Sequence, residues 1–421
     1  MSPANYPPGA ACAQPVRRPL PLCRRALAAC IVSGRVSLLP STHTPEMVRQ
    51  MQRFAPDVFC ITDQDDRGVE LPVFRYPELL ARSLEDPVIP QIDSDQVIAQ
   101  VFTSGPTGMP LPHVKRWGNL VRGVRAGANR LRITPEHALV GTVPPQHMYG
   151  LEFTVLMPLQ SGSALHAGHP FYPADICAAL EDLPRPRLLV TTPYHLRMLL
   201  AEPSALPVVD LLLSATAPLS QNLAVTAEIR FAAPLFEIYG CTETGQLASR
   251  RTSAGAIWQT LPEVNLRRAE ESVWAEGGHI EAPTRLNDDI ELVGADSSHF
   301  LLHGRHADLV NIAGKRTSLG YLNHQLNAIP GVQDGVFLLP SEDEADAPES
   351  VHRLIALVVA PGMTSAVLLQ ALRERIDPVF LPRPLLFVDA LPRNLTGKLP
   401  SQAARALLAG LRAQTATVIA S

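Results

Sequence analysis

Apolar residues along this chain recur in two rhythms. From Leu22 to about Ser33 they fall at helical spacing, Val36 to Leu39 is a short apolar run, Pro45 to Phe54 returns to helical spacing, and Val58 to Thr62 is again a run. A three- and four-residue spacing buries one stripe of a helix, whereas a short unbroken run suits a strand covered on both faces. The stretch therefore predicts helix, strand, helix, strand. After Val101 and Phe102 the alternation resumes, with helices over Trp117 to Leu131, Leu151 to Leu159, Pro173 to Leu183, Pro193 to Ala201 and Gln221 to Phe231. Strands fall between them at Ala138 to Val143, Arg187 to Thr191, Val208 to Ser214 and Pro234 to Tyr239. Strands alternating with helices imply a parallel sheet with covered faces, which is an α/β layer.

After about residue 255 strand-like pieces and turns replace the helical alternation, and beyond Gly304 a smaller α+β unit begins. Its pattern predicts helices near Gly320 to Ala328, Ser365 to Arg375 and Ser401 to Leu411, with strands at Val336 to Leu339, Leu354 to Val359 and Leu385 to Val388. The chain divides on this reading into an irregular, proline-rich tail (1–21), a large unit (22–303) and a small C-terminal unit (304–421). The acidic group Glu342, Asp343, Glu344, Asp346 and Glu349 reads as a solvated hairpin tip, because a calcium loop needs alternating ligands and a turn glycine.

Composition narrows the function classes. With 421 residues, 46% of them hydrophobic, the chain can bury a substantial core. A net charge of -4 and a pI near 6.4 give no general attraction to nucleic acid or anionic membranes, so any anion site must be local. The six cysteines form no CxxC pair, which argues against a zinc site or a disulfide framework and fits a reducing cytoplasm. Arg24 and Arg25 precede an apolar run, Ala26 to Val32, that is too short to span a bilayer and reads as one helix face.

The chemistry concentrates in loops that follow strands. Val101 to Pro110 runs from an apolar strand into small hydroxyl residues and glycines. Glycine permits close backbone approach, and Thr103, Ser104 and Thr107 add hydroxyls to the loop amides, a set suited to a phosphate chain. Gly105 and Gly108 are too close together for a Walker A loop, and locally the segment reads equally as a turn. Pro144 to Gly150, Ser214 to Leu219 and Phe236 to Gly245 follow three further strands, while Gly304-Arg305 and Leu391 to Lys398 lie at the ends of the small unit. In open α/β sheets ligands bind beyond the carboxyl ends of the strands, so these loops predict one shared crevice.

In that order the segments resemble the motifs of the adenylate-forming superfamily, the acyl- and aryl-CoA synthetases, peptide adenylation domains and luciferases. Thr103 to Leu111 resembles the phosphate-loop pattern, Pro144 to Gly150 the P-x-x-H-x-x-G pattern, and Ser214 to Leu219 the adenine-contacting S-G-A-P-L pattern. Tyr239 to Glu243 matches Y-G-x-T-E, Asp289 before Gly304-Arg305 resembles the acidic residue and G-R pair, and Pro392 to Lys398 matches P-R-x-x-x-G-K. The resemblance, over about residues 25 to 415, implies a large α/β domain with a small mobile lid. It also implies an ATP-dependent acid:thiol ligase that uses magnesium, with coenzyme A or a phosphopantetheine thiol as acceptor.

The same resemblance assigns roles. Thr103, Ser104, Gly105, Thr107 and Gly108 would take the phosphates, Ala215, Thr216 and Ala217 the adenine, Tyr239 would contact the nucleotide, and Asp289 would take the ribose with Arg305 nearby. Thr242 would touch the α-phosphate, Glu243 would hold magnesium, and Lys398 would bridge the substrate carboxylate and the α-phosphate. His147, Tyr149, Gly150 and Gly240 would line the acyl pocket. Read locally, Lys398 is equally a surface lysine, His147 equally a helix cap and Glu243 equally a carboxylate at a helix start. The wording Gly304 to Leu319, with Val36 to Pro40 upstream, looks most like ligases of bacterial aryl-polyene and xanthomonadin-type pigment clusters, which load a hydroxybenzoate-like acid onto an acyl carrier protein.

Several positions depart from the family pattern. Pro106 replaces a serine and removes one loop amide, and Leu111 takes the usual lysine position, leaving Lys115 as the substitute. Ala307 stands at the usual polar hinge, and Lys315 to Asn323 lacks the customary proline and glutamate. The region before the phosphate loop is short, so an N-terminal α/β unit is expected to be missing or replaced by the tail. A nucleotide- or carrier-binding relative without catalysis, and a fatty-acyl-CoA synthetase, remain the alternatives.

Overall fold

The helix Leu20–Val32 buries Ala26, Leu27, Cys30 and Ile31, one face of the apolar run behind Arg24 and Arg25. In this computed structural model residues 12–13, 20–40, 44–62, 70–75, 89–104, 110–270, 272–294, 297–305, 309–312, 315–339, 354–394 and 399–419 are described. Among them, Ser37–Leu39, Phe59–Thr62, Val73–Arg75 and Val97–Ser104 join Cys12–Ala13 in a parallel array, and Pro110–Arg116 adds an antiparallel edge. This six-stranded layer corrects the expectation that an N-terminal α/β unit is missing. Cys12–Ala13 also stands as a strand inside the proline-rich stretch read as irregular.

Pro110–Arg116 is not legible as a strand, because two prolines interrupt it and its exposed positions include Leu111 and Val114. Proline cannot donate to a ladder, and both prolines are tolerated here because the strand lies at an edge.

A second sheet, nine-stranded among the described residues, carries the predicted alternation. Ala164–Leu165, Ala138–Gly141, Arg187–Thr191, Leu211–Ser214 and Leu235–Cys241 run parallel in that spatial order. The sheet then continues antiparallel through Gly245–Arg250, Trp258–Thr260, His299–Arg305 and Asp288–Leu292. The central strands are apolar because helices cover both faces. Leu189 and Leu212 pack under Pro173–Glu181, Pro193–Ala201 and Gln221–Phe231, while Leu188, Val190 and Leu213 face the core shared with Trp117–Leu131. Each fully buried leucine of this kind contributes roughly 1.5 to 3 kcal/mol.

The stretch Leu151 to Leu159, expected as an ordinary buried helix, is buried as far as Pro158 and exposed at Leu159, and it is irregular. Met148–Gly150 is a helical turn, Leu151–Leu156 a π-helix and Met157–Ser161 an α-helix. Pro158 has no amide to give to the Thr154 carbonyl and its ring crowds that carbonyl, so the chain widens by one residue and Met157 N bonds to Glu152 O.

The small unit has its own core, with Leu322, Leu326, Phe337, Ala356, Val358, Leu368 and Leu372 at its centre. Asp334–Leu338, Ile355–Val359 and Leu385–Phe387 form its sheet, and Leu319–Asn327, Ser365–Arg373 and Ser401–Ile419 are its helices. The acidic run at 342–349 lies outside the described residues.

Candidate functional site

Four loops meet where the carboxyl ends of the parallel strands open. Ala138–Gly141 leads to Pro144 to Gly150, Arg187–Thr191 to Thr192, Leu211–Ser214 to Ala215, Thr216 and Ala217, and Leu235–Cys241 to Thr242 and Glu243. Close backbone approach leaves no room for a side chain at two of these corners. A side chain at Gly150 would place its Cβ 2.0 Å from Pro144 O, and one at Gly240 would meet Gly245 O at 2.2 Å. Thr216 adopts φ 78°, a left-handed conformation that strains a β-branched residue. Ser214 Oγ and Gln146 Oε1 are buried here without a hydrogen-bond partner among the described residues, so the corner holds polar atoms that a polar ligand can satisfy.

Tyr239 is fixed from both ends. Its ring packs 5.7 Å from Trp258 and 5.6 Å from Phe300, which stack on each other, and its hydroxyl donates to Asp288 Oδ2 at 2.7 Å. Sequence order points to Asp289, and the structure brings the neighbouring carboxylate to Tyr239. A bulge between Asp289 and Ile290 explains why spacing alone is a poor guide here, since it breaks the alternation of sides along Asp288–Leu292. Asp289 pairs in the ladder with Gly304, beside Arg305, so all three lie together at the end of one strand pair.

Thr103 and Lys115 come from the other sheet. Thr103 Oγ1 lies 2.9 Å from His113 Nε2. Lys115 does not stand in for the lysine of the phosphate loop. It is 6% exposed, and its Nζ donates to the carbonyls of Thr242 and of Glu243, the latter at 3.0 Å. Burial pulls its ammonium below the usual range, while Glu152, Cys241, Glu243 and Glu281 act in the opposite direction. Glu243 itself is exposed. Although burial pushes upward, its own amide, Cys241, His113 and Lys115 hold its carboxyl below the usual range, so it is ionised at neutral pH.

Glu152 is the residue that sequence reading missed. It projects from the π-helix, is 3% exposed, and Oε1 accepts from Gln246 N at 3.1 Å. Burial lifts its carboxyl to about 7, against the pull of Gln246 and Lys115. A single acid inside the apolar run Leu151 to Leu159 was the available signal. His113 was equally unflagged.

On the opposite wall His147 leads the helical turn, partly buried, with Tyr149 and Gly150 buried behind it. His195, also unpredicted, is completely buried, with Nδ1 3.0 Å from Thr192 Oγ1 and 3.3 Å from Thr142 Oγ1. Burial, then His169, lower it to about 4, so it is neutral. A cavity of about 250 Å³ separates Ala217 and Pro218 from Asn323, His324 and Arg393 of the small unit. Arg393 is held bidentately by Asp334 at 2.6 and 2.7 Å.

Gly105, Thr107, Gly108, Pro106, Ala307 and Lys398 lie outside the described residues, and Ser104 and Arg305 are described only as strand positions. Among the described residues no three His, Cys, Asp or Glu side chains gather to hold a metal. The exposed Glu243 carboxylate fits magnesium, which takes one or two carboxylates and completes its shell with phosphate oxygens and water.

The profile of the family described as AMP-binding enzyme matches residues 23–322. A 4-coumarate–CoA ligase of Rhodobacter capsulatus is 30% identical over 311 residues, 72% of this chain and 75% of its own. A 3-hydroxybenzoate–CoA/4-hydroxybenzoate–CoA ligase of Thauera aromatica is 23% identical over 362 residues, 76% of this chain and 68% of its own. Among solved structures, ATP-bound MatB from Rhodopseudomonas palustris superposes with a TM-score of 0.77 at 19% identity, over 94% of this chain and 88% of that one. MenE from Bacillus subtilis, in complex with ATP and magnesium ion, gives 0.73 at 18% identity, over 93% and 87%. These two likenesses concern the fold.

Proposed function

The chain belongs to the AMP-binding enzyme family, and from that premise we propose that it activates a small aryl carboxylic acid with ATP and passes it to a thiol. It is an AMP-forming acid–thiol ligase. In the first step a carboxylate oxygen bonds to the α-phosphorus of ATP and pyrophosphate leaves. In the second the thiol sulfur attacks the acyl carbon and AMP leaves, the thiol proton passing to solvent.

The observation that carries the reading is the convergence of Thr242, Glu243, Tyr239 and the Pro144 to Gly150 loop at the carboxyl ends of parallel strands of one sheet. The first step brings two anions together, so the protein's contribution is positioning and charge stabilisation. We assign Thr103, Ser104, Gly105, Thr107 and Gly108 to the phosphates, Ala215 to Ala217 to the adenine, Tyr239 to the nucleotide, and Asp289 with Arg305 to the ribose. Thr242 orients the α-phosphate and Lys398 offsets the charge that develops on it. Glu243 would hold magnesium, which neutralises phosphate charge when bound. His147, Tyr149, Gly150 and Gly240 bound the acyl pocket.

The aryl preference draws support from the coumarate and hydroxybenzoate ligases among the relatives. A carrier-protein acceptor draws on the resemblance of Gly304 to Leu319 to pigment-cluster ligases. No helix among the described residues is long and apolar enough to cross a membrane, and a cytoplasmic setting is our reading of the cysteine pattern. Pyrophosphate release across aryl and fatty acids, followed by mass spectrometry of coenzyme A and carrier-protein products, tests the proposal. Small aryl acids should outpace any fatty acid beyond about eight carbons, since one misfitted methylene costs roughly 1 to 3 kcal/mol. Faster turnover of palmitate than of hydroxybenzoate overturns the aryl assignment, and nucleotide uptake with no pyrophosphate release overturns catalysis.

A further inference from the structure

Along Pro110–Arg116 the residues facing Thr103, Val101 and Ala99 are Leu111, His113 and Lys115, so these three share one side of the sheet. The side grades from open to closed. Leu111 is 50% exposed where the family carries its loop lysine, and Lys115 is buried four residues on. A buried ammonium is costly unless its donors are met, so its partners are informative. Two are consecutive carbonyls, Thr242 O and Glu243 O, 127 and 128 residues away in the hairpin between Leu235–Cys241 and Gly245–Arg250. One cation bonded to both fixes two successive peptide planes, and with them the direction of the Thr242 and Glu243 side chains.

The hairpin is gripped at a second point. Glu152, of the surrounding carboxylates the one acting most strongly on Lys115, accepts from Gln246 N just beyond the turn. The same turn is crowded on that side, where a Cβ at Gly245 would lie 2.6 Å from Glu152 Oε1. His113 bonds Thr103 and lies close enough to Glu243 to help hold that carboxyl below its usual range. The edge strand of one sheet therefore ties the start of the phosphate loop to the turn of the other sheet.

We infer that Lys115, backed by Glu152, is a positioning residue that holds the Thr242–Glu243 turn from beneath, so that the Glu243 carboxylate and Thr242 hydroxyl are preset for magnesium and the α-phosphate. The inference rests on the ligase reading for the roles of those two side chains. Lys115 touches neither substrate nor metal, and acts only through the turn.

Lys115→Met, which keeps the side-chain length and removes the donors, and Glu152→Gln, which keeps an acceptor for Gln246 N, are compared with the wild type in three measurements. These are amide hydrogen exchange over 241–246 in nucleotide-free protein, adenosine binding by competition, and the magnesium dependence of pyrophosphate release at saturating acid and ATP. In Lys115→Met, exchange over 242–246 should rise by about 10-fold or more and the half-saturating magnesium concentration by about 5-fold or more, while adenosine binding stays within about twofold. Glu152→Gln should move exchange and magnesium dependence the same way by a smaller factor. A general packing defect would weaken adenosine binding as much as magnesium dependence, and that result overturns the inference. So does an unchanged exchange pattern with an unchanged magnesium curve in Lys115→Met. Should that variant fail to fold, the same two unchanged readings in Glu152→Gln overturn it. A wild type that releases no pyrophosphate with any acid overturns the ligase reading instead, and hydrogen exchange still decides whether Lys115 holds the turn.

Discussion

The parallel half of the large sheet and the strand Pro110–Arg116 reach the same crevice by opposite means. Leu188, Leu189, Val190, Leu212, Leu213 and Leu235 are fully buried, and their strands are held by apolar contact on both faces. Pro110–Arg116 is an edge with two prolines, and its innermost residue is a buried cation tied to another sheet through carbonyls. Apolar burial is non-directional and supplies stability, whereas charge-assisted hydrogen bonds are directional and supply position. Damage to the first region should appear in unfolding, and damage to the second in the chemistry of a still folded protein.

The largest test of that contrast is Leu189→Ala, which removes a completely buried side chain from a central strand. It should lower stability by about 2 to 5 kcal/mol in denaturant titration, with the half-saturating magnesium concentration of the folded enzyme unchanged. A rise in that concentration as large as the one expected of Lys115→Met would erase the distinction between the two regions.

Lys398→Ala asks whether a second cation, from the small unit, carries the chemical step. Acyl-adenylate formation should slow by something like 10²- to 10³-fold, the scale for losing one oriented charge-stabilising donor. Thioester formation from prepared acyl-adenylate should remain near wild type if the small unit acts as a rotating lid that carries this lysine away for the second step. Equal slowing of both steps would rule out the rotating lid, and slowing of neither would return Lys398 to the surface.

A smaller effect is expected of Glu243→Gln, which keeps the side-chain size and removes a hard anionic ligand. The half-saturating magnesium concentration should rise about 10-fold with thermal stability little changed, since the carboxylate is exposed. Superimposable magnesium curves for variant and wild type would leave Glu243 as a turn carboxylate.

The smallest effect concerns protons. His195 is held neutral with its pKa lowered to about 4, so its contribution to stability is present above its unfolded value near 6.5 and is lost as pH falls toward 4. Glu152, raised to about 7, works in the other sense, since its neutral form is the one favoured by burial and that stability is lost as pH rises from 4.5 through 7. Acidifying from pH 7.5 to 5.5 should therefore cost the wild type about 1 kcal/mol at His195 that His195→Asn does not lose. Parallel stability profiles for the two proteins would mean that His195 is protonated without penalty.

The first region was largely legible in the sequence and the second was not, for a physical reason. Arg187–Thr191 and Leu211–Ser214 announce themselves because burial on both faces imposes an apolar composition that a local window detects. The contact of Lys115 with Thr242 and Glu243 joins residues far apart in sequence, and no local pattern specifies which turn the edge strand will face. Tyr239 and Gly240 were readable as a motif, yet the bulge at Asp289 hid that Asp288 is the carboxylate reaching Tyr239. The π-helix was hidden for a similar reason, because Pro158 changes hydrogen bonding without changing the apolar rhythm.

The aromatic group around Tyr239 also makes the enzyme observable. Trp258 is buried against Phe300, lies under the Arg250 guanidinium at 4.4 Å, and is separated by one ring from the hydroxyl that Asp288 holds. Its indole emission is thus shielded from water and sensitive to a field change two contacts away. With Trp117 and Trp274 replaced by phenylalanine, the remaining indole would serve as an intrinsic optical gauge of the Tyr239–Asp288 side of the crevice, readable in stopped flow without attaching a dye.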